Sequence, residues 1–242
     1  MGDCLEVMPQ LDVEVDLVLT DPPYGTTACK WDSIIPFEPM WQGLAKLVKP
    51  NRAIALFAQN PFAAKLIGSN ISSFKHEFVW QKNAGSNFGC VKFQPMREHE
   101  TILVFCKGSA NYYPQMEARK GGGLARVTSG VVNYATKTEN YGVALRGQVS
   151  SARPKERYPS SVQKFNRERG LHPTQKPVAL MEYLIKTYTL ETELVLDFTI
   201  GSGTTAIACE NLGRRWIGIE KEEKYCDIAI ERLKNEAQHG LF

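Results

Sequence analysis

The sequence predicts an α/β fold of three layers, a mainly parallel sheet covered by helices on both faces. Three observations predict it. Short apolar runs of strand length alternate with longer segments of helical periodicity, the pattern of parallel strands joined by helical crossovers. Those runs are nearly continuous rather than alternating, as suits strands buried on both faces. The two sharpest turns, Asp21-Pro22-Pro23-Tyr24-Gly25 and Gly201-Ser202-Gly203, each follow such a run closely. That places both at the carboxyl edge of the sheet, where open α/β folds bind ligands.

The elements follow in order. Val15–Thr20 reads as a buried strand, ended by prolines that neither continue a strand nor open a helix at the first of them. A helical pattern covers residues 39–48, a turn 49–51, and a second apolar strand 53–58. Asn60-Pro61 has the chemistry of an N-cap and first-turn proline for the next helix. Residues 74–81 and 101–106 read as strands. From 107 to 170 the periodicity fails among Gly121-Gly122-Gly123, Arg153-Pro154 and Tyr158-Pro159-Ser160-Ser161, which mark turns and loops. It resumes with a helix at 177–189, a strand at 193–197, a helix at 203–212, a strand at 215–219 and an amphipathic helix at 222–235.

Bulk properties narrow the class. The 242 residues are 43% hydrophobic and 23% charged, ordinary for one large domain with a small inserted lobe. No apolar run approaches the roughly 18 residues that span a bilayer. The start, Met1-Gly2-Asp3-Cys4-Leu5-Glu6, is neither basic nor apolar, so no signal peptide is read and a soluble cytoplasmic protein, away from membranes, is expected. Six scattered cysteines without a C-x-x-C pair predict reduced thiols and no metal site. Charge is uneven: residues 107–176 hold 13 Lys or Arg against 4 acids, leaving 16 against 22 elsewhere. A lobe so basic meets a polyanion or is a solvated loop.

Two constellations carry chemistry. The strand Leu194–Asp197 runs through Phe198, Thr199 and Ile200 into Gly201-Ser202-Gly203 and a helix. The next strand ends in Glu220, 17 residues after Gly203. Glycines there let the backbone turn and approach a ligand, and a carboxylate at the second strand's end suits the hydroxyls of a nucleoside's ribose. No Gly-Lys-Ser or Gly-Lys-Thr makes it a triphosphate cradle. The second constellation is Asp21-Pro22-Pro23-Tyr24. An exocyclic amine conjugated with a base is a poor nucleophile. A carboxylate (Asp21) and a rigid carbonyl (Pro22) accepting its hydrogens localise the nitrogen lone pair, while an aromatic ring (Tyr24) supports a base taken out of the helix. The proline–cysteine pair expected for carbon-5 methylation of cytosine is absent.

With these residues in view, the chain resembles the DNA amino-methyltransferases of the β order, in which the catalytic turn precedes the glycine loop. The resemblance spans nearly the whole chain: Gly2-Asp3-Cys4-Leu5-Glu6-Val7-Met8, Thr20 to Gly25, Arg97-Glu98-His99-Glu100, His172-Pro173-Thr174-Gln175-Lys176-Pro177, Gly201 to Thr205, and Trp216 to Glu220. It implies the Rossmann-like methyltransferase fold, S-adenosylmethionine as cofactor, DNA as partner, and a homodimer as a frequent family assembly. It implies catalytic roles for Asp21, Pro22, Pro23 and Tyr24. Asp3 and the backbone at Cys4 would meet the cofactor's adenine and Glu220 its ribose. Asp197, Phe198, Gly201, Ser202 and Gly203 would line its methionine side, and Lys176 would pair with its carboxylate. Two departures stand out. The family's Asp-Pro-Phe-x-Gly-Ser-Gly is here Asp197-Phe198-Thr199-Ile200-Gly201-Ser202-Gly203, so either Phe198 packs the cofactor or binding is weakened. The family also has a short strand before Gly2-Asp3, expected here to be missing or supplied differently.

The reading is methyl transfer to N6 of a flipped adenine, by residues 1–106 and 171–242, with a basic target-recognition insertion at 107–170. Arg153, Lys155, Arg157, Lys164 and Arg167, with Arg169, Tyr158 and Phe165 among them, would bind DNA. N4 methylation of cytosine is the nearest alternative, because Asp rather than Ser at position 21 only favours adenine. A catalytically degenerate DNA-binding protein is another. Methylation of RNA or of a protein amide is a third, although those families generally place the glycine loop first.

Overall fold

The computed structural model describes residues 1–27, 29, 32–119, 155–168 and 175–239. The chain forms two compact units, Met1–Tyr113 with Ser161–Phe242, and Pro114–Ser160. In chain order the elements are α1 (Cys4–Val7), β1 (Val15–Thr20), α2 (Phe37–Leu47), β2 (Val48–Ala58), α3 (Phe62–Ser69), β3 (Phe74–Ser86), β4 (Arg97–Phe105), β5 (Glu117–Ala118), β6 (Glu156–Arg157), β7 (Val162–Lys164), α4 (Val178–Tyr188), β8 (Leu194–Asp197), α5 (Thr204–Asn211), β9 (Arg215–Gly218) and α6 (Glu223–His239). No helix among the described residues is long and apolar enough to cross a membrane.

The first unit is a seven-stranded sheet ordered β7-β3-β4-β2-β1-β8-β9. Four pairings are parallel, β1 with β2, β1 with β8, β8 with β9 and β3 with β7, whereas β4 is antiparallel to β2 and β3. All six residues of β1 are buried. Val18 joins a core with Met40, Leu44, Phe62 and Leu66 of α2 and α3; Leu17 and Leu19 join a second core with Leu180, Leu184 and Ile185 of α4 and Ala208 of α5. Alternation along β1 thus feeds one core on each face, which makes the three layers. α5 is buried from Thr204 to Cys209, so it has no polar face for a sequence pattern to show.

Three local readings need correction. Residues 49–51 are not a turn between elements but lie within β2, as a bulge between the pairs Val15↔Val48 and Leu17↔Ala53, with Asn51 at φ 57°. The extra residues carry Lys49 and Arg52 to Asp16, whose Oδ1 they approach at 2.8 and 3.2 Å. Asn60 caps nothing: Pro61 holds the N-cap position of α3, without a side-chain cap. Within 107–170, β7 pairs parallel with β3 through Val79↔Val162 to Gln81↔Lys164. Three residues, of which Gln163 alone is buried, leave no periodic trace. In the second unit β5 and β6 pair antiparallel through Glu117↔Arg157 and Ala118↔Glu156. At the start of the chain the Gly2 N–H donates to the Glu220 carbonyl at 2.8 Å, just past β9.

Asp16 ties three strands. Its Oδ2 also accepts the Leu194 N–H at 2.9 Å, and Arg52 continues to Glu193 at 2.5 Å. Burial pushes the Asp16 carboxyl up, but the Leu194 N–H, Lys49 and Arg52 outweigh it and hold it below the usual carboxylate range. A carboxyl lowered by folding stabilises at neutral pH, and that stabilisation is lost as pH falls through its folded value. Asp16→Ala should therefore cost about 2–3 kcal/mol at pH 7 in chemical denaturation. The gap from wild type should close on acidification, and equal stability at pH 7 would contradict the assignment.

Candidate active site

β1 hands the chain towards β2 on one side and β8 hands it towards β9 on the other, so the junction of β1 and β8 is the switch point of the sheet. A cavity of about 790 Å³ opens at their carboxyl ends, within the roughly 300–1,000 Å³ of small-molecule sites. It is lined by Asp21, Pro22, Pro23 and Tyr24 after β1, and by Asp197, Phe198, Gly201 and Ser202 after β8. Asp3, Cys4, Lys176 and Glu220 complete the gathering of residues from both ends of the chain. Gly203 is not on the wall. Its φ of 80° lies in the left-handed region, and a Cβ there would stand 2.9 Å from that of Ala229, so its role is close packing of α6.

From sequence, Thr199 stands out only as a departure from the family's loop, and Thr20 and Thr205 carry no assigned role. Thr20 Oγ1 donates to Asp197 Oδ1 at 2.6 Å and lies 2.6 Å from Thr199 Oγ1. Thr199 Oγ1 donates to the Asp21 carbonyl at 3.1 Å, and the Thr199 N–H to Asp197 Oδ1 at 3.1 Å. Thr205 Oγ1 donates to Asp197 Oδ2. Position 199, where the family pattern has an aromatic residue, thus carries a hydroxyl that joins the glycine loop to the Asp-Pro-Pro-Tyr turn. Phe198 is 1% exposed and belongs to the core with Leu196 and Ile219.

Asp21 sits at the end of a buried charge chain. Tyr24 Oη donates to its Oδ1 at 2.6 Å and Lys176 Nζ pairs with its Oδ2. Lys176 also faces Glu100 Oε2 at 3.3 Å, and Glu100 Oε1 pairs with Lys82. Lys176 further lies 5.0 Å from the Phe57 ring centroid. Burial raises the Asp21 carboxyl, with Lys176 opposing and Glu100 reinforcing. Burial would raise Glu100 too, but Lys176 and Lys82 outweigh it and hold it low. Burial would lower Lys176, but Asp21 and Glu100 keep it raised, hence charged. Phe62 stacks on Tyr24 at 5.1 Å and 29°, fixing the ring on the cavity wall. Sequence marked Arg97 to Glu100 without a role; Glu100 proves to be the link between two lysines.

Among the other lining residues, Asp3 accepts the Leu5 N–H at 2.8 Å as the cap of α1. Glu220 accepts the Gly201 N–H at 2.9 Å, and those of Lys221 and Glu222 at 3.0 Å, so it closes the glycine loop onto the end of β9. Burial, helped by Asp3, pushes the Cys4 thiol up to about 11, which keeps it protonated.

The basic residues divide. Arg167 lines the cavity and its N–H donates to Asn83 Oδ1 at 3.0 Å. Lys164 is exposed on β7. Phe165 packs on Tyr183 at 5.9 Å, and its carbonyl accepts from Trp80 Nε1, so it serves the core. In the second unit Lys155 is exposed, and Arg157 pairs with Glu117 at 2.5 Å. Arg153, Arg169 and His172-Pro173-Thr174 lie outside the described residues.

Comparison with known proteins places this geometry. The family model described as DNA methylase matches residues 15–231. Type II methyltransferase M2.DpnII of Streptococcus pneumoniae is 30% identical over 250 residues, 92% of this chain and 83% of that protein. Type II methyltransferase M2.LlaDCHI of Lactococcus lactis subsp. cremoris is 29% identical over 99% of this chain and 90% of its own. The solved M1.HpyAVI–SAM complex is 25% identical, with a TM-score of 0.62 over 96% of each chain. The cytosine-N4-specific PvuII DNA methyltransferase has a TM-score of 0.63 over 96% of this chain and 84% of its own. At 17% identity that likeness shows the fold alone.

Asp197 gives this site a pH signature. Burial pushes it up to about 6 from an ordinary 3.8, against the pull of Thr20, Thr205 and the Thr199 N–H. Between those values the folded state binds more protons than the unfolded one, so the contribution of Asp197 to stability falls as pH rises through that window. Asp197→Asn removes the titration. The stability of wild type relative to this variant should therefore decline from about pH 4 to pH 6 in parallel denaturation series, and profiles that stay parallel would contradict the burial argued above.

Proposed function

The chain belongs to the DNA methylase family, and from that premise we propose that it methylates N6 of an adenine flipped out of duplex DNA. The family's cofactor is S-adenosylmethionine, which when bound supplies an activated methyl group on a sulfonium. The site fits it: Gly201 at φ 54° lets the loop close on Glu220, and Asp3 and Glu220 both line the cavity, their segments joined by the Gly2 N–H to Glu220 carbonyl bond. Asp3 and the Cys4 backbone would hold its adenine and Glu220 its ribose, with Phe198, Gly201 and Ser202 along its methionine side. In the present geometry Lys176 is on Asp21 and Glu100, so its first task is to orient the carboxylate. A contact with the cofactor's own carboxylate would add to that.

The observation that carries the reading is Asp21 held by two donors at the cavity wall. Tyr24 and Lys176 each take one oxygen, yet a carboxylate offers about four lone-pair sites. Asp21 can therefore accept from the target amine while its orientation stays fixed. The Pro22 carbonyl is the second acceptor, held in place by the rigid Pro-Pro turn. By accepting the amino hydrogens they draw the nitrogen lone pair out of conjugation with the ring and stabilise the positive charge that develops as the methyl group arrives. Asp rather than Ser at position 21 favours adenine over cytosine. Lys164, Arg167 and the basic residues 153–157 supply phosphate contacts, the work of the target-recognition insertion. A substrate of cellular DNA puts the enzyme in the cytoplasm of a bacterial cell, in the setting of the Type II relatives.

Transfer of tritium from labelled S-adenosylmethionine to DNA, followed by separation of nucleosides, tests this. Label is expected in N6-methyladenine. Asp21→Ala should lower turnover by about 10²–10³-fold, measured on protein whose folded state is verified by circular dichroism. Turnover at the wild-type rate would sink the acceptor role.

A further inference from the structure

The strand connection between β3 and β4 shows the solvent more apolar surface than its surroundings explain. Phe93 is 89% exposed, Phe88 63%, Val91 45% and Met96 41%. Single exposed apolar residues are ordinary; four within nine residues form a patch that calls for a partner.

This loop is not slack. Asn87, at φ 64°, opens a short 3₁₀ turn over Phe88–Cys90. Its Oδ1 accepts the Arg97 N–H at 2.8 Å, across the loop. The N–H groups of Phe93 and Gln94 both donate to the Cys90 carbonyl, at 2.9 and 3.1 Å. At the base, Gly85 lies so close to Met96 that a Cβ there would stand 2.2 Å from the Met96 Cγ. The phenylalanines are therefore presented by a backbone already ordered, which lowers the entropy cost of seating them in a partner.

Position and charge name that partner. Ser86, Asn87 and Arg97, the two ends of the loop, line the same cavity as Asp21 and Tyr24. Arg97 Nη1 is further fixed on Gln59 Oε1 at 2.6 Å. Between Asn83 and Met96 the sequence has no acid and one cation, Lys92. An apolar tip with positive charge, rooted in the wall of a site that receives an extruded base, has the chemistry of a side chain inserted between base steps. Extruding a base leaves a gap in the stack, and an inserted ring restores part of the lost stacking.

We propose that the loop Asn87–Met96 enters the DNA duplex beside the target, with Phe93 filling the space vacated by the flipped base and Phe88 packed behind it. This rests on the reading of the site as a DNA base methyltransferase. The test compares wild type, Phe93→Ala and Phe93→Leu on two short duplexes carrying the chain's methylation site, as mapped by modified-base sequencing. One duplex is fully paired; the other has an abasic position opposite the target base, which removes most of the cost of extrusion. On the paired duplex Phe93→Ala should lower kcat/KM by about 10–100-fold, as loss of unstacking help of a few kcal/mol implies. On the abasic duplex the loss should be under about threefold, since little unstacking remains to be helped. Phe93→Leu should recover most activity on the paired duplex, and cofactor affinity by calorimetry should be the same in all three. Equal losses on both duplexes, or none on either, would overturn the insertion. A concentration-dependent dimer in sedimentation that Phe93→Ala dissolves, with activity on the paired duplex intact, would assign the patch to a second copy of the chain and overturn it as well. Failure of wild type to methylate either duplex would instead strike the underlying function, so the two failures are separable.

Discussion

Two carboxylates, Asp21 and Asp197, leave neighbouring parallel strands at the same edge of the sheet, the first half-buried on the cavity wall and the second buried, and both must be satisfied. A buried carboxylate without partners costs several kcal/mol or takes up a proton. The surrounding sequence answers each in a different way. Asp197 is met by neutral donors, the hydroxyls of Thr20 and Thr205 and the Thr199 N–H. Asp21 is met by a cation and a phenol. The second solution is the more demanding, because Lys176 then needs Glu100, and Glu100 needs Lys82. Four charges of alternating sign are thus tied from β1 through the start of α4 to β3 and β4.

This division has a chemical consequence. Neutral hydroxyls around Asp197 leave it raised and close to protonation, fit for holding the frame. Burial raises the Asp21 carboxyl as well, with Glu100 reinforcing, but there a cation, Lys176, opposes the rise, which favours the charged form that the proposed acceptor role needs. Thr199 connects the two, since its hydroxyl touches both Thr20 and the Asp21 carbonyl. The departure of this chain from the family's usual loop therefore falls at the joint between the two turns rather than on a group that reacts. Breaking a buried pair by removing one partner generally costs more than the pair contributes, so the chain of charges is better understood as serving orientation than stability.

Much of the fold was legible because its signals are local. β1 and β8 are short, apolar and closed by turn residues, and α4 and α6 keep a 3.6-residue period. What was missed is non-local. The bulge in β2 exists to bring Lys49 and Arg52 to Asp16, and nothing in residues 49–51 distinguishes it from a turn. β7 is three residues long and owes its strand conformation to the edge of β3. In the site, Asp21 and the glycine loop announced themselves by spacing, and the cavity gathers them. Thr20, Thr205 and Glu100 did not, since a threonine or glutamate beside a strand is common and acquires meaning only from its partner in the fold: Asp197 for the two threonines, Lys82 and Lys176 for Glu100. Phe165 shows the reverse error: an aromatic among basic residues suggested a nucleic-acid contact, yet its ring packs on Tyr183.

In the proposed function the Asp-Pro-Pro-Tyr turn loosens an exocyclic amine, the cofactor loop is tied to it by hydroxyls, and an apolar loop at the cavity rim holds the DNA open. All three roles meet in the product on DNA. The most direct measurement is sequencing with detection of modified bases, applied to DNA from cells that express the chain beside DNA from cells that do not. N6-methyladenine is expected, confined to one sequence context and present only on expression. N4-methylcytosine in its place, or DNA left unmodified by a folded chain that binds its cofactor, would contradict it.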